Sequence, residues 1–193
     1  MSDAKMDPSK PFMPSEKDRK ALLAWARESI SAELERRRPS PPELSPALSV
    51  SLGAFVTLNK NASLRGCIGM IAGRGPLVET IHNMALAAAF EDPRFPSLRA
   101  DELPEITIEI TILTPLEKLP STDDIVIGRH GLYLVKGGYS GIFLPQVPVE
   151  WGWDKATYLD ELCHKAGLPS GSWKAPDAQL YYFEGAVFSE KSE

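Results

Sequence analysis

The sequence predicts an α+β fold in which a mixed, largely antiparallel sheet packs with helices, and three observations carry that expectation. Ile106, Ile108, Ile110 and Ile112 alternate with Thr107, Glu109 and Thr111, the period of a strand with one apolar face. Such one-sided alternation favours antiparallel or mixed pairing over a doubly wound parallel sheet. Elsewhere, two pairs of short apolar runs flank turn residues, and three segments repeat apolar residues at helical spacing.

Taken in order, residues 1–14, with Pro8, Pro11 and Pro14, read as a disordered tail before one domain at 15–190. Ser15 is the expected N-cap of the first helix, with Asp18 three residues on and Leu22, Leu23, Ala26, Ile30 and Leu34 forming its apolar stripe. The helix stops before Pro39, because residues 39–46 hold too many prolines for regular structure. Residues 53–58 and 62–68 read as a hairpin turning at 59–61. Residues 77–90 form a helix whose alanines permit close packing, and Asp92-Pro93 ends it. After the isoleucine strand, residues 131–135 and 139–144 flank Gly137-Gly138 as a second hairpin. Asp154 caps a helix running through Ala166, Gly167 is its C-terminal stop, and residues 180–188 close the fold as a strand.

A chain of 193 residues suffices for one core, or for a main domain with a smaller lobe. Its longest apolar runs fall short of the roughly 20 residues that span a bilayer, and residues 1–20 are polar and charged. A cytoplasmic protein without export signal or membrane segment is the expectation. The net charge of −5 argues against a dedicated nucleic-acid binder, although a local basic groove is compatible with it. Cys67 and Cys163 are expected as reduced thiols, and with only three histidines and no zinc-site spacing, neither metal nor cofactor is expected. Gly73-Arg74-Gly75 does not continue as a dinucleotide fingerprint, and Gly138-Tyr139-Ser140-Gly141 has the wrong spacing for a nucleophile elbow.

Unusual chemistry concentrates at Leu64-Arg65-Gly66-Cys67-Ile68-Gly69. On a regular strand Arg65 and Cys67 share a face, and a guanidinium there favours the thiolate that a nucleophile needs. Gly66 and Gly69 admit a close backbone or ligand. The opposing reading is a buried, space-filling cysteine. His82, inside the second helix, and His130, at a strand start, are the candidate bases. Glu109 lies opposite the isoleucine face, where cover would make it a buried acid and solvent an ordinary one. The turn at 92–96 sets Asp92 and Arg94 side by side as a brace or a binding corner.

The hexapeptide at 64–69 is also where the chain resembles the AMMECR family. Matching segments run from about Leu22 to Glu190: 53–58, 64–69, 92–95, Glu102-Leu103, 128–132, 144–147, and 165–168 followed by Trp173. The resemblance implies a two-lobed α+β protein with a cleft between lobes, the smaller lobe being expected within 70–125. It also implies weight on Arg65, Gly66, Cys67, Gly69, Asp92 and Arg94. In prokaryotes the family supplies protein A of the AmmeMemoRadiSam system, so its companions would be a Memo-type protein and a radical S-adenosylmethionine enzyme. Two functions follow as expectations. One is a thiol-dependent enzyme or subunit acting on a small molecule or modified nucleotide. The other is a non-catalytic partner of those companion proteins.

Overall fold

The computed structural model describes residues 12–190, which form two compact units: one up to Leu113 together with residues from Ala186, the other Thr114–Gly185. The expected tail lies outside the described residues as far as 11, whereas Phe12 packs on the first core and Pro14 is buried. The segment 70–125 is divided between the two units.

In the first unit, α1 (Glu16–Leu34) starts where Ser15 accepts the Asp18 N–H at 3.2 Å. Asp18 in turn accepts the Ser45 N–H at 3.0 Å, which fastens the proline-rich segment to the start of the helix. Strands β1 (Gly53–Lys60) and β2 (Ser63–Met70) pair antiparallel, and β1 also pairs antiparallel with β3 (Ile106–Leu113). Helix α2 (Leu77–Phe90) lies against β1 and β2. Ala54, Val56, Leu58, Ile108, Ile110 and Ile112 are fully buried with Leu22, Ala26 and Ile30 of α1 and Ile81 and Ala85 of α2. This is the face the isoleucine alternation foretold.

The first hairpin turns later than expected. Asn61 and Ala62, not 59–61, are its central residues, with φ of 51° and 62°. Two consecutive positive φ values match the right-handed twist of the strands, which is why a two-residue turn wins although Ala62 lacks glycine's freedom there.

In the second unit, β4 (Glu117–Lys118) pairs with β7 (Gln179–Ser189), which pairs with β5 (His130–Lys136), and β5 pairs with β6 (Tyr139–Phe143), all antiparallel. β7 contributes its first residues to this unit and its last to the other. Gly137 and Gly138, at φ 55° and 87°, make the expected turn. A short α3 (Val147–Glu150) precedes α4 (Lys155–Lys165), whose Asp154 cap accepts the Thr157 N–H at 2.8 Å. Tyr158, Leu159, Leu162 and Cys163 of α4 are buried in one cluster with Leu132 and Leu134 of β5. Among the described residues, no helix is long and apolar enough to cross a membrane.

Candidate functional site

Strand register places Thr57 at the centre of a row, with Cys67 across from it on β2 and Glu109 across from it on β3. Directly opposed residues of antiparallel strands point the same way. Their row therefore projects from the sheet face opposite Val56 and Leu58. Cys67 is partly exposed there, and the Thr57 hydroxyl donates to its sulfur at 3.2 Å. Glu109 is half-buried, and its carboxylate has no hydrogen bond or ion pair among the described residues.

The backbone of Cys67 is held from the outer side of β2. Its N–H donates to Asp92 Oδ2 at 2.9 Å, and its carbonyl accepts from Arg94 Nη2 at 3.1 Å. Asp92 is itself bound by Arg94 Nε and Nη2, at 2.9 and 2.7 Å, and accepts the Arg94 N–H at 3.1 Å. The Arg94 guanidinium and the Cys67 N–H hold the Asp92 carboxyl well below the usual carboxylate range. The acid and base of the 92–96 turn thus brace one another and, together, occupy the hydrogen-bonding groups that β2 would otherwise present at Cys67.

Arg65 goes elsewhere. The register slips between Leu58, which faces Gly66, and Asn59, which faces Leu64, so Arg65 is the extra residue of a β-bulge. A bulge re-aims its side chain, and the guanidinium forks onto Glu102, with Nε to Oε1 at 3.1 Å and Nη2 to Oε2 at 3.0 Å. Lys60 joins Glu102 at 3.4 Å and Glu105 at 3.0 Å. Arg65 foremost, then the Arg99 N–H, lower the Glu102 carboxyl to about 2. The regular strand that would align Arg65 with Cys67 is therefore interrupted, and Nη1 of Arg65 is buried without a partner among the described residues.

The two glycines serve different approaches. A methyl group on Gly66 would sit 2.1 Å from the Ala88 carbonyl oxygen, so Gly66 is where α2 touches the strand. On Gly69 it would meet the Phe55 ring at 2.2 Å.

His82 is directed to α1, not to the row. Its Nδ1 lies 2.9 Å from Ser29 Oγ, and its ring stacks on Trp25 at 5.5 Å. Because α2 packs on the buried face, the sheet stands between this imidazole and the Cys67 side chain. His130 belongs to the second unit, where its Nδ1 accepts the Val126 N–H at 3.3 Å and its ring lies 4.8 Å from that of Tyr182. Burial pushes the His130 imidazole below its ordinary value. Sequence reasoning missed Thr57 and Glu102 as partners of this patch. Thr57 becomes visible only once the hairpin register is known, and Glu102 only once the bulge is.

Among the described residues, no group of three or more His, Cys, Asp or Glu side chains is placed to hold a metal ion.

The family model AMMECR1 matches residues 23–188. A protein of Thermococcus gammatolerans is 44% identical over 182 residues, covering 88% of this chain and 89% of its own. A protein of Nanoarchaeum equitans is 43% identical over 177 residues, covering 88% of this chain and 98% of its own. The fold is similar to the crystal structure of the uncharacterized protein PH0010 from Pyrococcus horikoshii. That match has a TM-score of 0.80 and 38% identity, covering 93% of this chain and 95% of that one. With nearly the whole described chain matched on both counts, the protein belongs to the AMMECR1 family.

Proposed function

We propose that the protein is a thiol-dependent enzyme, or the thiol-bearing subunit of one, that uses Cys67 as a nucleophile toward an electrophilic carbon of a small molecule or modified nucleotide. The observation that carries this reading is the setting of the sulfur. It is partly exposed on a polar sheet face, and the Thr57 hydroxyl donates to it. Asp92 and Arg94 act as positioning residues, because they fix the Cys67 backbone from the strand edge. A fixed backbone confines the thiol to a narrow range of directions, and a donor at the sulfur stabilises charge there. Glu109, in the same cross-strand row, supplies a carboxylate on the far side of Thr57. As the new S–C bond forms, the thiol proton leaves to solvent water, which reaches the partly exposed sulfur, and the carbon's leaving group departs with its bonding pair.

Iodoacetamide labelling of the native chain, with peptide mapping, tests this. Cys67 is expected to label at least about tenfold faster than Cys163, which is fully buried and whose thiol burial pushes up. Labelling of Cys67 only after unfolding would remove the nucleophile.

A second reading is favoured by a different observation. In the second unit Trp151 is 71% exposed and Val149 58%, and Trp151 stacks on Trp153 at 6.2 Å. Exposed apolar side chains of this size mark interaction surfaces. On this reading the chain is a non-catalytic partner of a Memo-type protein or a radical S-adenosylmethionine enzyme. Binding of either purified protein that Trp151→Ala abolishes, with Cys67→Ser binding normally, would establish it.

A further inference from the structure

His82, left aside by the Cys67 site, lines a cleft of its own. Trp25 of α1, Glu79, His82 and Asn83 of α2, and Pro39 and Pro41 line a cleft of about 370 Å³. That size falls within the range of small-molecule sites, roughly 300–1,000 Å³.

Hydrogen bonds at its edge decide which polar groups are left to a ligand. The Ser29 hydroxyl has a single proton, and it donates that proton to the Trp25 carbonyl at 2.8 Å. The contact at 2.9 Å between Ser29 Oγ and His82 Nδ1 must then be donated by the imidazole. A neutral His82 is thereby fixed with its proton on Nδ1 and a bare lone pair on Nε2. The Trp25 indole N–H is also engaged, donating to the Val78 carbonyl at 2.8 Å. The indole N–H is therefore not free for a ligand. Glu79 is exposed, and its carboxylate makes no hydrogen bond or ion pair among the described residues. The cleft therefore offers a carboxylate, an imidazole lone pair and a side-chain amide beside aromatic and proline surfaces, and among the described residues no cationic side chain lines it.

We propose that this cleft binds a small, flat, cationic hydrogen-bond donor, of the class of amidinium or protonated amino-heterocyclic compounds. The planar group would lie against Trp25 and the prolines, its N–H groups directed to Glu79 and to Nε2 of His82. The ion pair with Glu79 supplies the charge recognition. The proposal rests on residues separate from the Cys67 row and stands or falls independently of the thiol reading.

The test is a titration of the ¹⁵N-labelled full chain with benzamidinium, following the Trp25 indole N–H and the His82 ring resonances. Benzoate and benzyl alcohol serve as anionic and neutral controls of similar shape. Saturable shifts at Trp25 and His82 are expected, with Glu79→Gln weakening the affinity roughly five- to tenfold. Both controls should bind at least about tenfold more weakly than benzamidinium. Absence of saturation up to about 20 mM, equal affinity in Glu79→Gln, or equal binding of benzoate would each overturn the proposal. The Glu79 carboxylate is solvent-exposed and unpaired among the described residues, so its replacement leaves the fold intact and the comparison readable.

Discussion

On the helix side of β1, β2 and β3, Ala54, Val56, Leu58 and the alternating isoleucines are almost completely buried, and Gly66 lets the backbone of α2 reach the strand. On the other side, Phe55, Thr57, Cys67, Thr107 and Glu109 come from the same strands, one residue out of step, and remain half-buried. The difference follows from a period of two residues acting on one set of strands. It separates packing from chemistry. The buried face tolerates almost no change of volume, whereas the other face carries a thiol, a hydroxyl and a carboxylate in one row at little cost to the core.

Gly66→Ala is the strongest way to break that contrast. Its methyl group would overlap a backbone carbonyl that cannot swing aside, so a loss of about 3 kcal/mol or outright failure to fold is expected in urea unfolding. Gly69→Ala meets the Phe55 ring and the Ala54 carbonyl on and beside the more open face, and a smaller loss is expected. Equal losses would mean that both faces are packed alike.

Next in size is Glu102→Gln, which leaves the Arg65 guanidinium, 10% exposed, without its counter-charge. Since Glu102 is itself partly solvated, we expect a loss of about 2 kcal/mol at pH 7. The pH dependence has a definite sign. Glu102 is lowered from 4.5 to about 2 in the folded chain, so its contribution is complete above about 4.5 and is lost as the pH falls toward 2. Asp92, depressed by Arg94 and by the Cys67 N–H, loses its contribution over the acid range in the same direction. Acid unfolding of Glu102→Gln should therefore be shallower than that of the native chain between about pH 4.5 and 2. An unchanged slope would show that the Arg65–Glu102 pair does not persist in solution.

A smaller effect of opposite sign is expected at the hairpin. Ala62 holds φ 62°, a conformation that disfavours a side chain by about 1 kcal/mol, and Ala62→Gly should stabilise the chain by up to that amount. A loss instead would place the strain elsewhere in the turn.

That hairpin also shows where the sequence is legible and where it is not. The long elements announced themselves because each repeats an apolar period over several turns or residues: Leu22 to Leu34, the four isoleucines, and the alternating ends of the second hairpin. The turn at Asn61-Ala62 was displaced by a residue because Ala62 carries none of the usual turn chemistry. β4 and α3, two and four residues long, are too short to show any period. The site depended on information that periodicity does not hold. Arg65 leaves the expected alignment through a bulge, and Asp92 reaches Cys67 from 25 residues away by capping a strand edge. Neither is written in local pattern, although Arg65, Cys67, Asp92, Arg94 and Glu109 were singled out by residue type.

Thr57→Val is the finest probe of the two faces, because it separates chemistry from stability at one position. Valine keeps the shape and the β-branch that suit a strand, and it removes only the hydroxyl that donates to the Cys67 sulfur at 3.2 Å. On a half-exposed face the loss of one such contact should cost less than about 1 kcal/mol. If the hydroxyl serves the sulfur, the rate of Cys67 alkylation at fixed pH should fall several-fold while the midpoint of unfolding hardly moves. If instead the row is ordinary surface, both rate and midpoint should stay where they are. A fall in stability with no change in rate would reassign Thr57 to packing. The outcome would then place Cys67 with the buried face in function, although its side chain points the other way.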